Sequence, residues 1–83
     1  MQPYKIYINQ AALDFAPRSG SQRDQMMQFI RSLADSPNTS GDFFEQDDSS
    51  RIVQVKIIGR YAVTFWADHA VSEIKITHIK SAD

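Results

Sequence analysis

The stretch RIVQVKIIGRYAVTFWADHAVSEIKITHI, residues 51–79, predicts three consecutive antiparallel strands, which form most of the expected sheet. Apolar residues alternate with polar or small ones along most of it, which is typical of strands with one buried face. Turn signals at Gly59 and within residues 67–70 divide the stretch into three parts. We therefore expect three hairpin-connected strands at the C-terminal end of the sheet.

The first of these turns permits two registers, and apolar pairing favours a three-residue loop at residues 58–60. That loop pairs Val55 with Val63, whereas a two-residue loop pairs Val55 with Thr64 and mixes apolar with polar side chains. At the second turn, a four-residue loop pairs Val63 with Ile74 by the same reasoning. The choice matters because a slip of one residue sends every side chain to the other face.

The favoured register predicts one buried face and one polar face. The buried face lies under the helices and contains Val53, Val55, Ile57, Tyr61, Val63, Phe65, Ile74 and Ile76. Burying each of these contributes about 1.5–3 kcal/mol. On the polar face, Lys56, Ala62 and Lys75 fall on one line across three strands, with the two lysine Cβ atoms about 10 Å apart at ordinary strand spacing. We expect a shallow cationic concavity there, sized for a phosphate or an acidic side chain.

Upstream residues predict one further strand, two helices and a short edge strand. Residues 3–8, PYKIYI, alternate as a strand, and Asn9 is a good N-cap for a short helix. Residues 23–35 place their apolar side chains at helical spacing, and DFFEQ at residues 42–46 predicts a short strand. The expected fold class is α+β, with two N-terminal helices packed on one face of a small, mostly antiparallel sheet of four or five strands. The expected order is β-α-α-β-β-β with an extra short strand possible.

Length and composition limit the possibilities further. The 83 residues are enough for one small domain, residues 1–83. The absence of cysteine removes disulfides, thiol nucleophiles and cysteine-ligated zinc, and we expect no metal and no cofactor. The N-terminus lacks the pattern of a signal peptide, and no segment approaches the roughly 18 apolar residues of a membrane span. We therefore expect a cytoplasmic protein without a membrane partner.

Charge is distributed unevenly along the chain. The net charge of −1 argues against tight, non-specific binding of nucleic acid. Residues 1–50 carry four basic and seven acidic side chains, whereas residues 51–80 carry five basic and two acidic ones. Any surface that attracts phosphate is therefore expected in the second half of the chain.

Several segments resemble the RelE/ParE toxin superfamily, the toxin components of bacterial type II toxin–antitoxin modules. The resemblance spans nearly the whole chain and rests on YKIYI, GDFFEQD, VQVKIIGRYAVTFW and EIKITHIKSAD. It implies a RelE-like fold, a cognate antitoxin as partner and, in RelE-like members, metal-independent cleavage of messenger RNA on the ribosome. Such an endoribonuclease needs a base for the 2′-hydroxyl, cations for the phosphorane charge and an acid for the leaving group. ParE-like members instead inhibit DNA gyrase.

The candidate catalytic residues are Lys56, Arg60, Lys75, His78 and Lys80. The resemblance implies Lys56, His78 and Lys80 by position and Arg60 as a displaced substitute for the family's arginine, whereas Lys75 comes from the predicted cationic face. Lys56, Arg60 and Lys75 would hold phosphate. His78 and Lys80 would assist proton transfer or stabilise charge.

Other observations keep a second hypothesis open. The family's arginine after the tyrosine corresponds to Ala62, and the C-terminal aromatic residue of active RelE-like nucleases has no counterpart here. Lys56 and Lys75 also fit a solvated sheet face. His78 follows Ile74 and Ile76 in phase, which also fits a histidine at the rim of the core. The alternative is a non-catalytic, protein-binding member: a gyrase inhibitor, or a degenerate toxin that only binds its antitoxin.

Overall fold

A computed structural model describes residues 2–82, and within them the chain forms two helices and five strands. Their bounds are β1 Lys5–Ile8, α1 Gln10–Asp14, α2 Gly20–Asp35, β2 Phe43–Gln46, β3 Ile52–Ile58, β4 Tyr61–Asp68 and β5 Glu73–Ser81. The strands form one sheet in the order β1-β5-β4-β3-β2. β1 is parallel to β5, and the other neighbours are antiparallel. The architecture is a small α+β domain with a mixed five-stranded sheet.

The fold pattern predicted from the sequence is wrong in strand order and helix placement. β1 enters the sheet as a parallel neighbour of the last strand, and β2 pairs with β3 along its whole length. The helices are unequal: α2 has 16 residues, whereas α1 has five and lies against β5. Asn9 caps α1 through its side chain, but Pro17 disfavours helical geometry at Ala16 and leaves little room to extend the helix. Where the sequence predicted two helices packed on one face of the sheet, the structure has one long helix and one helix of little more than a single turn.

The register predicted at the first turn is also wrong. Ile58 pairs with Tyr61, so Gly59 and Arg60 form a two-residue loop, and every pair between β3 and β4 shifts by one residue. Gly59 has a φ of 58°, a left-handed conformation that favours glycine. Glycine at the first of two loop positions is typical of a type II′ hairpin turn. Turn geometry, rather than apolar pairing, sets this register.

Apolar pairing predicted the wrong register because β3 and β4 carry buried side chains on both faces. Val55 and Val63 are 2% and 0% exposed. Val55 nevertheless pairs with Thr64 and Val63 with Lys56, so the two valines lie on opposite faces of the sheet. A strand buried on both sides loses the alternation that would identify its inner face.

The register predicted at the second turn is wrong as well. Asp68 pairs with Glu73, so the loop spans residues 69–72 and lies beyond the predicted one. Phe65 consequently faces Ile76. The pairing of β4 with β5 is thus displaced from the predicted one along its length.

A β-bulge in β5 changes which side chains face the core. Phe65 pairs with Ile76 and the preceding Thr64 pairs with His78, which leaves Thr77 as an extra residue on β5. Alternation restarts after this residue, and Ile79 turns towards the core, where it is 2% exposed. The bulge therefore turns His78 away from the core.

The main core lies between α2 and one face of the sheet, which we call the helix face. α2 contributes Met26, Ile30 and Leu33, all at most 2% exposed. The sheet contributes Ile58, Val63, Phe65, Ile74, Ile76 and Ile79. Of the predicted buried face, Val53, Val55 and Ile57 lie instead on the opposite side, which we call the open face. The shift of register accounts for their change of side.

Candidate functional site

Lys56 lies on the helix face and not on the polar face predicted for it. It pairs with buried Val63, and its Nζ is 5.8 Å from the centroid of the Phe29 ring. The same Nζ is 3.5 Å from an Asp42 carboxylate oxygen. Asp42 accepts a hydrogen bond of 2.7 Å from the backbone N–H of Ile57, and this bond, aided by Lys56, lowers the pKa of Asp42. Lys56 is thus an ion-pair partner beside α2.

Lys75 lies on the open face, near the end of the sheet where the loop at residues 69–72 connects β4 and β5. It pairs with Trp66, and its Nζ is 5.1 Å from the Tyr7 ring. Its Nζ also donates a hydrogen bond of 2.7 Å to Glu73, which raises the pKa of Lys75. A lysine held in its charged form at neutral pH has no free electron pair, so it is unsuited to act as a general base.

The predicted line of Lys56, Ala62 and Lys75 across three strands is therefore wrong. Ala62 pairs with Ile57 on one side and with Lys80 on the other. Because directly paired residues share a face, Lys80 is the cation that lies beside Ala62. The expected concavity between two lysines does not form, since the two lie on opposite faces.

His78 and Lys80 are the two predicted site residues that the fold brings together. Both follow the bulge, both are exposed, and both line an open cleft of about 420 Å³. His78 Nδ1 is 3.2 Å from Thr77 Oγ1. The expectation that His78 lies at the rim of the core is wrong, because Thr77 interrupts the alternation.

The facing wall of this cleft is acidic. Glu45, Asp47 and Asp48 lie there, at the end of β2 and in the turn before β3. Val53 and Thr64 line the cleft between the two walls and are 3% and 7% exposed. Because carboxylates repel phosphate, this wall disfavours RNA and favours a cationic group.

Arg60 lies at the turn, at the same end of the sheet as Lys80. Its backbone N–H donates to Gln22 Oε1 at 3.1 Å, and its carbonyl accepts the Ala82 N–H at 2.8 Å. Its side chain is exposed and does not line the cleft. Arg60, His78 and Lys80 thus share a region, whereas Lys56 and Lys75 lie elsewhere.

Arg51, the basic residue of the C-terminal half that is not among the predicted site residues, contacts an aromatic ring. The guanidinium carbon of Arg51 is 3.9 Å from the centre of the Trp66 ring, and Arg51 also pairs with Asp47 at 3.5 Å. This contact occupies the ring that a nucleic-acid base would need for stacking. Among residues 51–82, only Arg60 and Lys80 are cations without a carboxylate or ring partner in the described structure.

Sequence reasoning missed the acidic wall as part of a cleft, although a signal for it exists. The hairpin FFEQDDSSRIV places Glu45 opposite Val53. The open face of β3 therefore lies next to the carboxylates of the hairpin. Recognising this required the knowledge that Val53 faces away from α2, which only the correct register supplies.

Exposed apolar side chains gather at the β2 side of the sheet. Phe43 and Phe44 on β2 are 46% and 68% exposed. Ile52 and Ile57 on the adjacent β3 are 53% and 38% exposed. Apolar side chains grouped at a sheet edge and bordered by charge are typical of protein-binding surfaces.

Profiles of known protein families, curated proteins and solved structures were compared with the chain, and none matches. The RelE/ParE resemblance therefore stays a prediction from the segments quoted above. Neither helix within residues 2–82 has the length and apolar content needed to cross a bilayer.

Proposed function

We propose that this chain is the toxin subunit of a bacterial type II toxin–antitoxin pair and acts through contacts with other proteins. The sequence resemblance supplies the class. The observation that favours protein contact over RNA cleavage is the separation of the predicted catalytic cations. Lys56 and Lys75 lie on opposite faces, and each is already paired with a carboxylate.

The surroundings of the cleft also favour protein contact over RNA cleavage. Ala62 occupies the position of the family's arginine, so the small residue beside Lys80 supplies no second cation. The acidic wall opposes phosphate, and the exposed phenylalanines of β2 offer apolar area to a protein. The partners that this proposal names are a cognate antitoxin and, as target, DNA gyrase.

The proposal is tested by induced expression in a bacterial host, alone and together with the product of a short adjoining reading frame that has a DNA-binding pattern. Growth arrest by the chain alone, relieved by the second product, is the expected result. Met26→Asp is the matched control, because a carboxylate in the fully buried position of Met26 prevents folding. Normal growth of cells that accumulate folded wild-type protein would refute the proposal. Inhibition of supercoiling by purified protein identifies gyrase as the target.

A second candidate function, ribosome-dependent cleavage of messenger RNA, is favoured by one observation. His78 and Lys80 lie together in a cleft with Arg60 nearby. His78 would take the proton of the 2′-hydroxyl as its oxygen attacks the adjacent phosphodiester, and Lys80 would stabilise the phosphorane charge. The bond from phosphorus to the 5′-oxygen would then break as that oxygen takes a proton from water.

Cleavage on programmed ribosomes distinguishes this candidate. The nuclease hypothesis expects cleavage by the wild type and by Lys75→Ala, and at least about a hundredfold less by a His78→Ala, Lys80→Ala double variant. Absence of cleavage by folded wild-type protein excludes the nuclease.

A further inference from the structure

We propose that the free edge of β2 binds an extended, lysine- or arginine-rich segment of a partner protein as an additional strand. Within residues 2–82, β2 is the last strand on its side of the sheet. All four of its residues are exposed. Such an edge offers backbone N–H and C=O groups to an incoming strand. The inference depends on the proposed toxin function only for the biological identity of that partner.

The hydrogen-bond phase of the hairpin determines which backbone groups are available. The Asp47 N–H donates to the Arg51 carbonyl at 2.8 Å, so residues 47 and 51 form a hydrogen-bonded pair. In an antiparallel ladder, alternate residues direct their backbone groups to the neighbouring strand. Glu45 therefore bonds β3, whereas Phe44 and Gln46 direct their N–H and C=O groups outwards.

Charge determines the chemistry of the incoming strand. Residues 41–50 contain four carboxylates and no lysine or arginine. Asp42 and Asp47 have cationic partners, whereas Glu45 and Asp48 form no ion pair within the described residues. Glu45 also lines the cleft on the open face. A cationic side chain on the incoming strand would find an unpaired carboxylate there.

The two faces of β2 specify an alternating sequence. Phe43 and Glu45 pair with Val55 and Val53 on the open face, so a neighbouring strand should present lysine or arginine on that side. Phe44 lies on the helix face and is 68% exposed, so the alternate positions should be apolar and β-branched.

The same charges argue against a second copy of this chain as the occupant. Two β2 strands paired edge to edge would bring the carboxylates of one copy beside those of the other. Like charges on directly neighbouring strands are destabilising. The basic partner is therefore favoured over self-association.

The test uses a six-residue peptide of alternating lysine and valine, capped at both ends, and an otherwise identical peptide with glutamate in place of lysine. Backbone amide exchange of the full chain is followed by NMR. With the lysine peptide, exchange at Phe44 and Gln46 is expected to slow about tenfold when about nine-tenths of the protein is bound, since only the unbound fraction then exchanges. The glutamate peptide is expected to give no protection.

Two variants that change the net charge by the same amount show whether peptide binding depends on the charge at β2 or on the net charge of the whole protein. Glu45→Lys is expected to weaken binding of the lysine peptide about three- to tenfold, whereas Asp24→Lys on the exposed side of α2 changes it less than about twofold. Gln46→Pro removes an outward donor without removing a bond to β3, and is expected to abolish protection at Phe44.

Three results would overturn the inference: no protection by the lysine peptide at millimolar concentration, equal protection by both peptides, or protection that rises with protein concentration alone. The last of these would identify a second copy as the occupant. The growth experiment is independent. Protection at the edge without growth arrest would refute the toxin function and leave this inference intact, and arrest without protection would do the reverse.

Discussion

Thr77 determines the direction of the side chains that follow it on β5. The apolar residues of this strand are spaced by two from Ile74 to Ile76 and by three from Ile76 to Ile79. An interval of three within an alternating strand is the sequence signal of an inserted residue. It predicts that Ile79 remains in the core and that His78 turns to the other face, as the structure shows. Extending strict alternation through Thr77 gave the wrong direction for His78.

Gly41 is required because the chain passes close to β3 at that point. Its N–H donates to Gln54 Oε1 at 2.9 Å, and an added Cβ would collide with the carbonyl oxygen of Val55. The colliding atom belongs to the backbone, so it moves only if the strand moves. Gly41→Ala is expected to lower the free energy of unfolding by about 1–3 kcal/mol in urea titrations. The neighbouring exposed control, Ser40→Ala, should stay within about 0.5 kcal/mol of the wild type, and an equally small effect at Gly41 would contradict the close approach.

The Asp42 carboxylate should make stability depend on pH in the acid range. Its pKa in the folded protein lies below the ordinary value of 3.8, chiefly because it accepts the N–H of Ile57. A lowered folded-state pKa contributes stability above the ordinary pKa, and that contribution is lost as the pH falls through the folded-state value. The wild type should therefore exceed Asp42→Asn in urea midpoint at neutral pH, and the difference should shrink below about pH 4.

Asp24→Asn serves as the control for this pH series, since Asp24 is an exposed residue on α2. It should change the midpoint little across the whole range. A difference between wild type and Asp42→Asn that stays constant with pH would show that the Asp42 carboxylate does not favour its ionised form in the fold.

At the scale of the elements, strand positions could be predicted but strand pairing could not. Alternation and turn residues place the strands of the second half, and Asn9 marks the start of α1. Pairing failed because β3 and β4 carry buried side chains on both faces, so residues that are both buried need not face each other: the true register pairs Val55 with Thr64 and Lys56 with Val63. The type II′ turn at Gly59 sets that register. The parallel contact of β1 with β5 joins distant segments and has no local sequence signal.

Engineered disulfides test the register directly, since the chain contains no cysteine. Ile57 and Ala62 face each other one pair beyond the two-residue turn, where facing side chains approach closely without an exchange of backbone hydrogen bonds. An Ile57→Cys, Ala62→Cys variant is expected to oxidise to an intramolecular disulfide. An Ile57→Cys, Tyr61→Cys variant should keep free thiols, because those side chains point to opposite faces. Thiol titration after mild oxidation distinguishes the two, and the opposite outcome would restore the three-residue loop.

At the scale of the molecule, the sequence predicts how much charge each half carries but not which face receives it. Three of the five cations in residues 51–80 contact an acidic or aromatic partner: Arg51, Lys56 and Lys75. Two of those acidic partners, Asp42 and Asp47, come from the N-terminal half. The acidic half therefore neutralises much of the basic one, and the expected phosphate-binding face is reduced to the region of Arg60 and Lys80. The candidate site could be predicted only as far as His78 and Lys80, because the other members depended on the register.

Growth after induction of the His78→Ala, Lys80→Ala double variant, compared with the wild type, tests the claim proposed above that this chain acts by protein contact and not by catalysis in the cleft. Circular dichroism and the urea midpoint establish that the variant is folded. We predict that wild type and variant arrest growth to the same extent. Arrest by the wild type together with normal growth of the folded variant would contradict the claim.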